Sequence, residues 1–448
     1  MNAARPTDFT RADCAAARST SYANGWGRRD FPVVTTASRG APINQAQEAG
    51  CLHAGALLSV TGRWGAHPIT TDGEHPMSTR IIDSLAKYHL LGQTGLRVSP
   101  LALGTMNFGT DWGWGITSED AHRLLTRYLE AGGNFIDTAD AYTSGSSERI
   151  IGDYFAKHGG RERAVIATKF SANLSPGDPN AGGNSRKHIY AALEGSLRRL
   201  KMSYVDVYWL HVWDGLTPVE EVMGTLTGLV REGKVRYIGF SDVPAWYFAR
   251  AQTLAERNHW EKVAALQLEY SLAERNVERE HLPAALAMGA ALTPWSPLAG
   301  GLLTGRYTRD GNQPKGDGRA HALLASGNPV ADKFLQERPW AIVEELVAVA
   351  KEVERSPAQV ALNWVATRPA VVSTIIGASR LEQLEDNLHA LDFKLPHELS
   401  ARLDAASRPE LFNPYVFFEN PFFTKGMLAG NTTVSAEPSG FRGPLQPR

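Results

Sequence analysis

The chain has 448 residues, 43% hydrophobic and 21% charged, with a formal net charge of -1 at pH 7. That composition is globular, and its charge balance gives no electrostatic reason to bind nucleic acid or an anionic membrane. No apolar run approaches the ~20 residues that span a bilayer. Two cysteines, Cys14 and Cys51, are too few and too N-terminal for a disulfide framework or metal cluster in the main body, so a cytoplasmic location is expected.

Residues 1–76 show no sustained helix or strand period and are rich in Ala, Arg, Ser, Thr and Gly. Their one apolar run, Gly55 to Val60, is too short and too late for a secretory signal, and Asp8, Asp13 and Asp30 argue against a transit peptide. A disordered extension is expected there. From residue 98 the pattern alternates. "VSPLALGT" reads as a strand before a helix over 118–132, and "NFIDTAD" as a strand before 146–159. "AVIATKF" precedes 186–201, and "VDVYWLH" precedes 218–233, with Pro218 suited to a first helical turn. "VRYIGFSD" precedes 244–257, and "ALQLEYS" precedes 276–289. "AALTPWSPL" leads into a long glycine-rich loop and then two helices, 339–354 and 357–367. "VVSTIIGAS" precedes 380–391, and the chain from 408 to 448 reads as an irregular tail.

Eight strands, each followed by helix, predict an α/β fold: a (β/α)8 barrel of the TIM type over residues 88–407, with extra helices on the C-terminal side and a long loop after strand seven. A doubly wound open sheet would want a glycine-rich phosphate turn after the first strand, and "GTMNFGTDWGWG" does not supply one. In a barrel the C-terminal strand ends share one mouth, so the residues that end each strand become the candidates for chemistry.

In "NFIDTADAYTSGSSE", Asp137, Asp140 and Tyr142 arrive as the apolar run stops. Strand three ends with Lys169 and strand four with His211. Each has a simpler reading alone: a capping carboxylate, a solvated lysine, a satisfied core histidine. Asp137, Tyr142, Lys169 and His211 together form an acid-base set. A cationic lysine favours the ionised phenol and lowers its pKa from ~10. A carboxylate keeps the lysine charged, and an imidazole can hold a carbonyl oxygen. Such a set makes or unmakes an alcohol, and a hydride must come from a cofactor. Strand five ends with Ser241 and Asp242, strand six with Gln267 and Tyr270, strand seven with Trp295 and Ser296. Trp295 offers an aromatic face, and Ser241, Asp242 and Gln267 offer hydrogen bonds to a carboxamide. "IIGASRLEQLEDNL" opens a helix with Gly377, Ser379 and Arg380, which reads either as a phosphate site or as an ordinary helix capped by Ser379. No metal site is expected.

Residues 88–400 resemble the aldo-keto reductase superfamily. The resemblance rests on "NFIDTADAY", "VIATKF", "YWLH", "GFSD", "QLEYS", "PWSPLAGGLLTGRY" and "IIGASRLEQLEDNL" in that order and spacing. "GGNSRKHI" and the long loop after "PLAGGLLTG" make the chain most similar to the aryl-alcohol dehydrogenase-like and potassium-channel β-subunit-like branches. The resemblance implies an NADPH-dependent reductase of aldehydes or ketones. Tyr142 would be the general acid-base, tuned by Lys169 and Asp137, with His211 orienting the carbonyl. Ser241, Asp242 and Gln267 would meet the nicotinamide carboxamide, and Trp295 would stack on the ring. Ser296, Leu298 and Gly300 would line the pyrophosphate, Ser379 and Arg380 would take the 2′-phosphate, Gln383 and Asn387 would meet the adenine side, and Gly377 would belong to the same cofactor site. Many family members carry Asn where Asp242 stands, and a carboxylate cannot donate to a carboxamide oxygen unless it is protonated. The alternative reading is an NADP(H)-binding, redox-sensing regulatory subunit of a membrane partner. Substrate choice would fall to the loops after strands one, four and seven. There Trp112, Trp114, Trp213 and Tyr307 either line an aromatic pocket or pack the loops onto the barrel.

Overall fold

The computed structural model describes residues 84–310, 313–316, 320–325, 327 and 329–432. The expected disordered extension, residues 1–76, lies outside the described residues. The barrel strands are β1 (Leu101–Gly104), β2 (Phe135–Asp137), β3 (Val165–Phe170), β4 (Val205–Leu210), β5 (Val235–Ser241), β6 (Val263–Gln267), β7 (Ala291–Leu292) and β8 (Thr374–Ile376). Each pairs in parallel with the next, and β8 returns to pair with β1. A parallel bridge between Leu292 and Val371, with the Ile375 N–H donating to the Pro294 carbonyl at 2.9 Å, joins β7 to β8. The sheet thus closes on itself, and the expected (β/α)8 barrel is the fold found.

The strands read as unbroken apolar runs because both faces are buried. Successive side chains alternate between two apolar layers. On β4, Val207 and Trp209 join Phe135, Val165, Ala167, Ala265 and Ala291 inside the barrel. Tyr208 and Leu210 point outward to the helices. The helices α1 (Ser118–Glu130), α2 (Ser146–His158), α3 (Arg186–Leu200), α4 (Val219–Arg231), α5 (Ala245–Asn258) and α6 (His281–Met288) follow strands one to six. They cover the outer layer with Leu124, Ile151, Leu193, Leu226 and Phe248. Their starts are written locally. The hydroxyls of Thr117 and Ser185 accept from the N–H groups of Asp120 and His188. Pro218 sits one residue outside α4, at its N-cap, rather than in its first turn.

One element was not legible, and one expected strand is shorter than its apolar run. A hairpin of two-residue strands, His89–Leu90 and Arg97–Val98, precedes β1 and is too short for any hydrophobic period to register. Its Leu91 and Val98 join the inner apolar layer, and its Gln93 N–H donates to the Gly289 carbonyl at 2.9 Å. The hairpin therefore plugs the end of the barrel where the strands begin. Strand seven is regular only over Ala291–Leu292, where a run to Leu298 was expected; beyond it Trp295 bridges to Glu269.

After β7 the chain turns through Ala299–Thr304 and a small hairpin, Thr308–Asp310 with Gln313–Lys315. It then enters α7 (Ala320–Ala325), α8 (Glu337–Glu352) and α9 (Pro357–Ala366), the last opened by a capping box from Ser356 and Gln359. Helices α10 (Leu381–Leu388) and α11 (His397–Ala406) close the body. The tail, expected to be irregular, contains a five-residue helix, Tyr415–Glu419. Arg338 holds it at its root by donating to the carbonyls of Ser407 and Arg408, both at 2.8 Å. Residues 433–448 lie outside the described residues.

Trp209 is fully buried, and a Cβ added at Gly239 would lie 2.1 Å from its ring. Gly239→Ala should therefore destabilise the protein by about 1–3 kcal/mol through overpacking. A lowered midpoint in guanidinium unfolding checks this; an unchanged midpoint contradicts it.

Candidate active site

Parallel strands deliver their last residues to one rim. Asp137 is the last residue of β2, Lys169 lies one from the end of β3, and His211 follows β4 directly. Tyr142 reaches the same place through a tight turn before α2, in which Thr143 and Ser144 take φ of 47° and 56°. A β-branched residue rarely adopts that conformation. Here the Thr143 hydroxyl donates to the Phe108 carbonyl at 2.5 Å and accepts from the Ser147 N–H at 3.1 Å, which fixes the turn.

The structure brings all four expected residues together. Lys169, fully buried, donates from Nζ to Asp137 Oδ2 at 2.5 Å, to the Thr138 carbonyl at 2.8 Å and to Tyr142 Oη at 3.1 Å. Three donors on one ammonium are thus all used. The rings of Tyr142 and His211 meet edge to face with centroids 6.0 Å apart. Burial works to strip Lys169 of its charge, but Asp137 and then Tyr142 outweigh it, and its pKa lies above the usual lysine value. Burial dominates at Tyr142 and raises the phenol above its ordinary value; Lys169 pulls it down only in part. The expected pull of Lys169 on the phenol is present, but burial exceeds it, and Tyr142 stands as a neutral phenol. Burial, with the Lys169 charge added, pushes His211 down to about 3, so its imidazole is neutral at pH 7.

The residues expected to hold a cofactor lie on the remaining strand ends. Ser241 is buried, and Asp242 follows it at φ 44° with its carboxylate accepting from Trp295 Nε1 at 3.1 Å. Desolvation shifts the Asp242 carboxyl upward, against that hydrogen bond, although the residue keeps an exposed surface on the rim. Gln267 is buried and donates from Nε2 to Asp137 Oδ1 at 2.9 Å, a bond that sequence reasoning did not anticipate. Ser296 accepts from the Gly300 N–H at 3.1 Å, and the Leu298 carbonyl accepts from the Gly301 N–H at 2.9 Å. Gly377 has open space about its Cα. Arg380, exposed, is the N-cap of α10, a place expected for Ser379 in the simple helix-cap reading. The Ser379 N–H instead donates to Gln383 Oε1 at 2.8 Å, and Asn387 donates to the Gly377 carbonyl at 3.2 Å. Asn107, which the sequence did not single out, secures this loop by donating to the Ala378 carbonyl at 2.8 Å.

Tyr270 leaves the rim: it is buried, with its hydroxyl donating to Glu278 at 2.7 Å. Tyr307 is buried against Phe334 and accepts from the Ala320 N–H at 3.1 Å, so it packs the long loop and does not line the mouth. Trp112 and Trp114 pair with centroids 5.4 Å apart on the loop after β1, and Trp213 packs on Trp246 after β4.

Behind the tetrad lies a second acidic group. Asp140 is fully buried, and neither carboxyl oxygen has a hydrogen-bond partner among the described residues. Glu148 beside it is bound by Arg199 at 2.6 Å and Thr168 at 2.5 Å. Burial, then the Glu148 charge, raises Asp140 to about 7.

Residues 100–408 match the sequence model of the Aldo/keto reductase family. An uncharacterised oxidoreductase of Bacillus subtilis is 37% identical over 328 residues, 71% of this chain and 95% of its own length. An aryl-alcohol dehydrogenase of Pestalotiopsis microspora is 35% identical over 322 residues, 70% and 80% of the two chains. An aryl-alcohol dehydrogenase [NADP(+)] of Phanerodontia chrysosporium is 32% identical over 338 residues, 72% and 86%. The chain belongs to the aldo/keto reductase family and is an NAD(P)H-dependent oxidoreductase.

A raised Asp140 means that the folded state keeps a proton the unfolded chain has lost between pH 4 and 7, so stability falls as pH rises through that window. Asp140→Asn removes this loss. The variant should gain stability at pH 8, on the order of 2 kcal/mol, and little at pH 4. Thermal melts at both values check this; an equal or lower melting temperature at pH 8 contradicts it.

Proposed function

We propose that the protein reduces aldehydes and ketones with NADPH, with Tyr142 as proton donor. The observation that carries this reading is the Lys169 ammonium held between Asp137 and Tyr142, beside a neutral His211. Tyr142 gives its proton to the carbonyl oxygen as negative charge develops there. Lys169 then stabilises the phenolate left behind, and Asp137 keeps Lys169 charged and in place. The neutral His211 can donate a ring N–H to the same oxygen without competing for the proton. In the reverse direction the Tyr142 phenolate takes the proton from the alcohol.

The donor set fits a nicotinamide dinucleotide. When bound, the cofactor supplies the hydride that the protein's own side chains cannot. Ser241, Asp242 and Gln267 would hold its carboxamide, with Trp295 against the ring. Ser296, Leu298 and Gly300 would line the pyrophosphate. Gly377, Ser379 and the exposed Arg380 would take a 2′-phosphate at the start of α10, where helix N–H groups favour an anion. Gln383 and Asn387 would lie on the adenine side. NADPH rather than NADH is supported by Arg380 and by the NADP(+) in one relative's name. Trp112, Trp114 and Trp213 on the mouth-side loops, with two relatives named aryl-alcohol dehydrogenase, support flat aromatic carbonyls as substrates.

Tyr142→Phe removes the proton donor and leaves the cleft. It should lower kcat for an aromatic aldehyde by ~100-fold or more and leave the NADPH dissociation constant within about twofold, since the hydroxyl is assigned no cofactor contact. Stopped assays and cofactor titration measure both. Undiminished turnover would remove Tyr142 from its role.

A further inference from the structure

We infer that Gln267 is a positioning residue that holds Asp137 from the cofactor side and so links cofactor occupancy to the proton donor. The inference rests on the reduction proposed above. Gln267 ends β6, which stands across the mouth from β2, and its Nε2 reaches Asp137 Oδ1 at 2.9 Å. Lys169 holds the other oxygen, Oδ2. Each carboxylate oxygen therefore has its own donor, and the carboxylate cannot turn without breaking one bond. Gln267 and Asp137 are both 2% exposed, where an unmade hydrogen bond is costly.

The orientation of the amide follows from the same chemistry. An ionised carboxylate only accepts, so the NH2 end of Gln267 must face Asp137. With Nε2 turned to Asp137, Oε1 is the end of the amide directed away from it. That oxygen is an acceptor of the kind a carboxamide N–H needs. A cofactor amide donating there would fix Gln267, which fixes Asp137, which fixes Lys169 against Tyr142.

A residue that only bound cofactor would alter affinity and leave kcat untouched at saturation. The test uses Gln267→Met, which keeps volume and loses both hydrogen bonds, and Gln267→Glu, which turns a carboxylate toward Asp137. NADPH affinity and kcat at saturating NADPH are measured for each, alone and combined with Asp137→Asn. Both variants should weaken NADPH binding and lower kcat at saturation by about tenfold or more, the equivalent of ~1.4 kcal/mol. Gln267→Met should cause no further fall once Asp137 is Asn. Wild-type kcat at saturation in both variants overturns the inference, as does an undiminished further loss in the Asp137→Asn background. An unaltered chain that binds no NADPH removes both this inference and the proposed reduction; one that reduces the aldehyde while the variants stay unimpaired at saturation removes this inference alone.

Discussion

One buried ammonium organises the mouth of this barrel. Lys169 has no exposed surface, and an uncompensated charge there would be costly. Its three protons go to a carboxylate, a backbone carbonyl and a phenol, which come from β2 and the turn after it. The position of Tyr142 is thus set by where the ammonium can be satisfied. The left-handed turn at Thr143 and Ser144, tied to Phe108 on the loop after β1, brings the phenol within reach. The closed sheet makes this possible, because parallel pairing of β2, β3 and β4 sets Asp137, Lys169 and the start of the His211 loop side by side.

Burial then fixes the protonation states. The same desolvation that the Asp137 charge overcomes at Lys169 keeps Tyr142 and His211 neutral. Under the proposed reduction, one permanent cation, one anion and two neutral hydrogen-bonding rings would meet a negative charge developing on oxygen. Just behind, Arg199 pairs with Glu148, and Asp140, left without a hydrogen-bond partner among the described residues, is raised to about 7. The rim opposite carries Asp242 joined to Trp295, an arrangement that orients the indole through its N–H.

Much of this was legible in the sequence, for physical reasons that differ by feature. The strands announce themselves because burial on both faces demands unbroken apolar runs such as "VIATKF". Asp137, Lys169 and His211 stand out because a charge at the end of such a run needs a reason. The hairpin at His89–Val98 left no period to read, and regular pairing of β7 ends before Pro294, which has no N–H to give the ladder. The bond from Gln267 to Asp137 spans 130 residues and depends on barrel closure, so no local pattern encodes it. The role of the Thr138 carbonyl was equally hidden, since backbone groups carry no sequence signature. The pull of Lys169 on Tyr142 is legible because a neighbouring charge is visible in sequence, while the larger opposing effect of burial depth is not.

The family match fixes the general chemistry, and the ammonium at the centre of the site is what gives it a direction. Lys169→Met keeps the length of the side chain and deletes the charge. This variant should fold, bind NADPH, and lose aromatic aldehyde reduction by ~100-fold or more at saturating cofactor. A Lys169→Met protein that turned over at the unaltered rate would contradict this expectation.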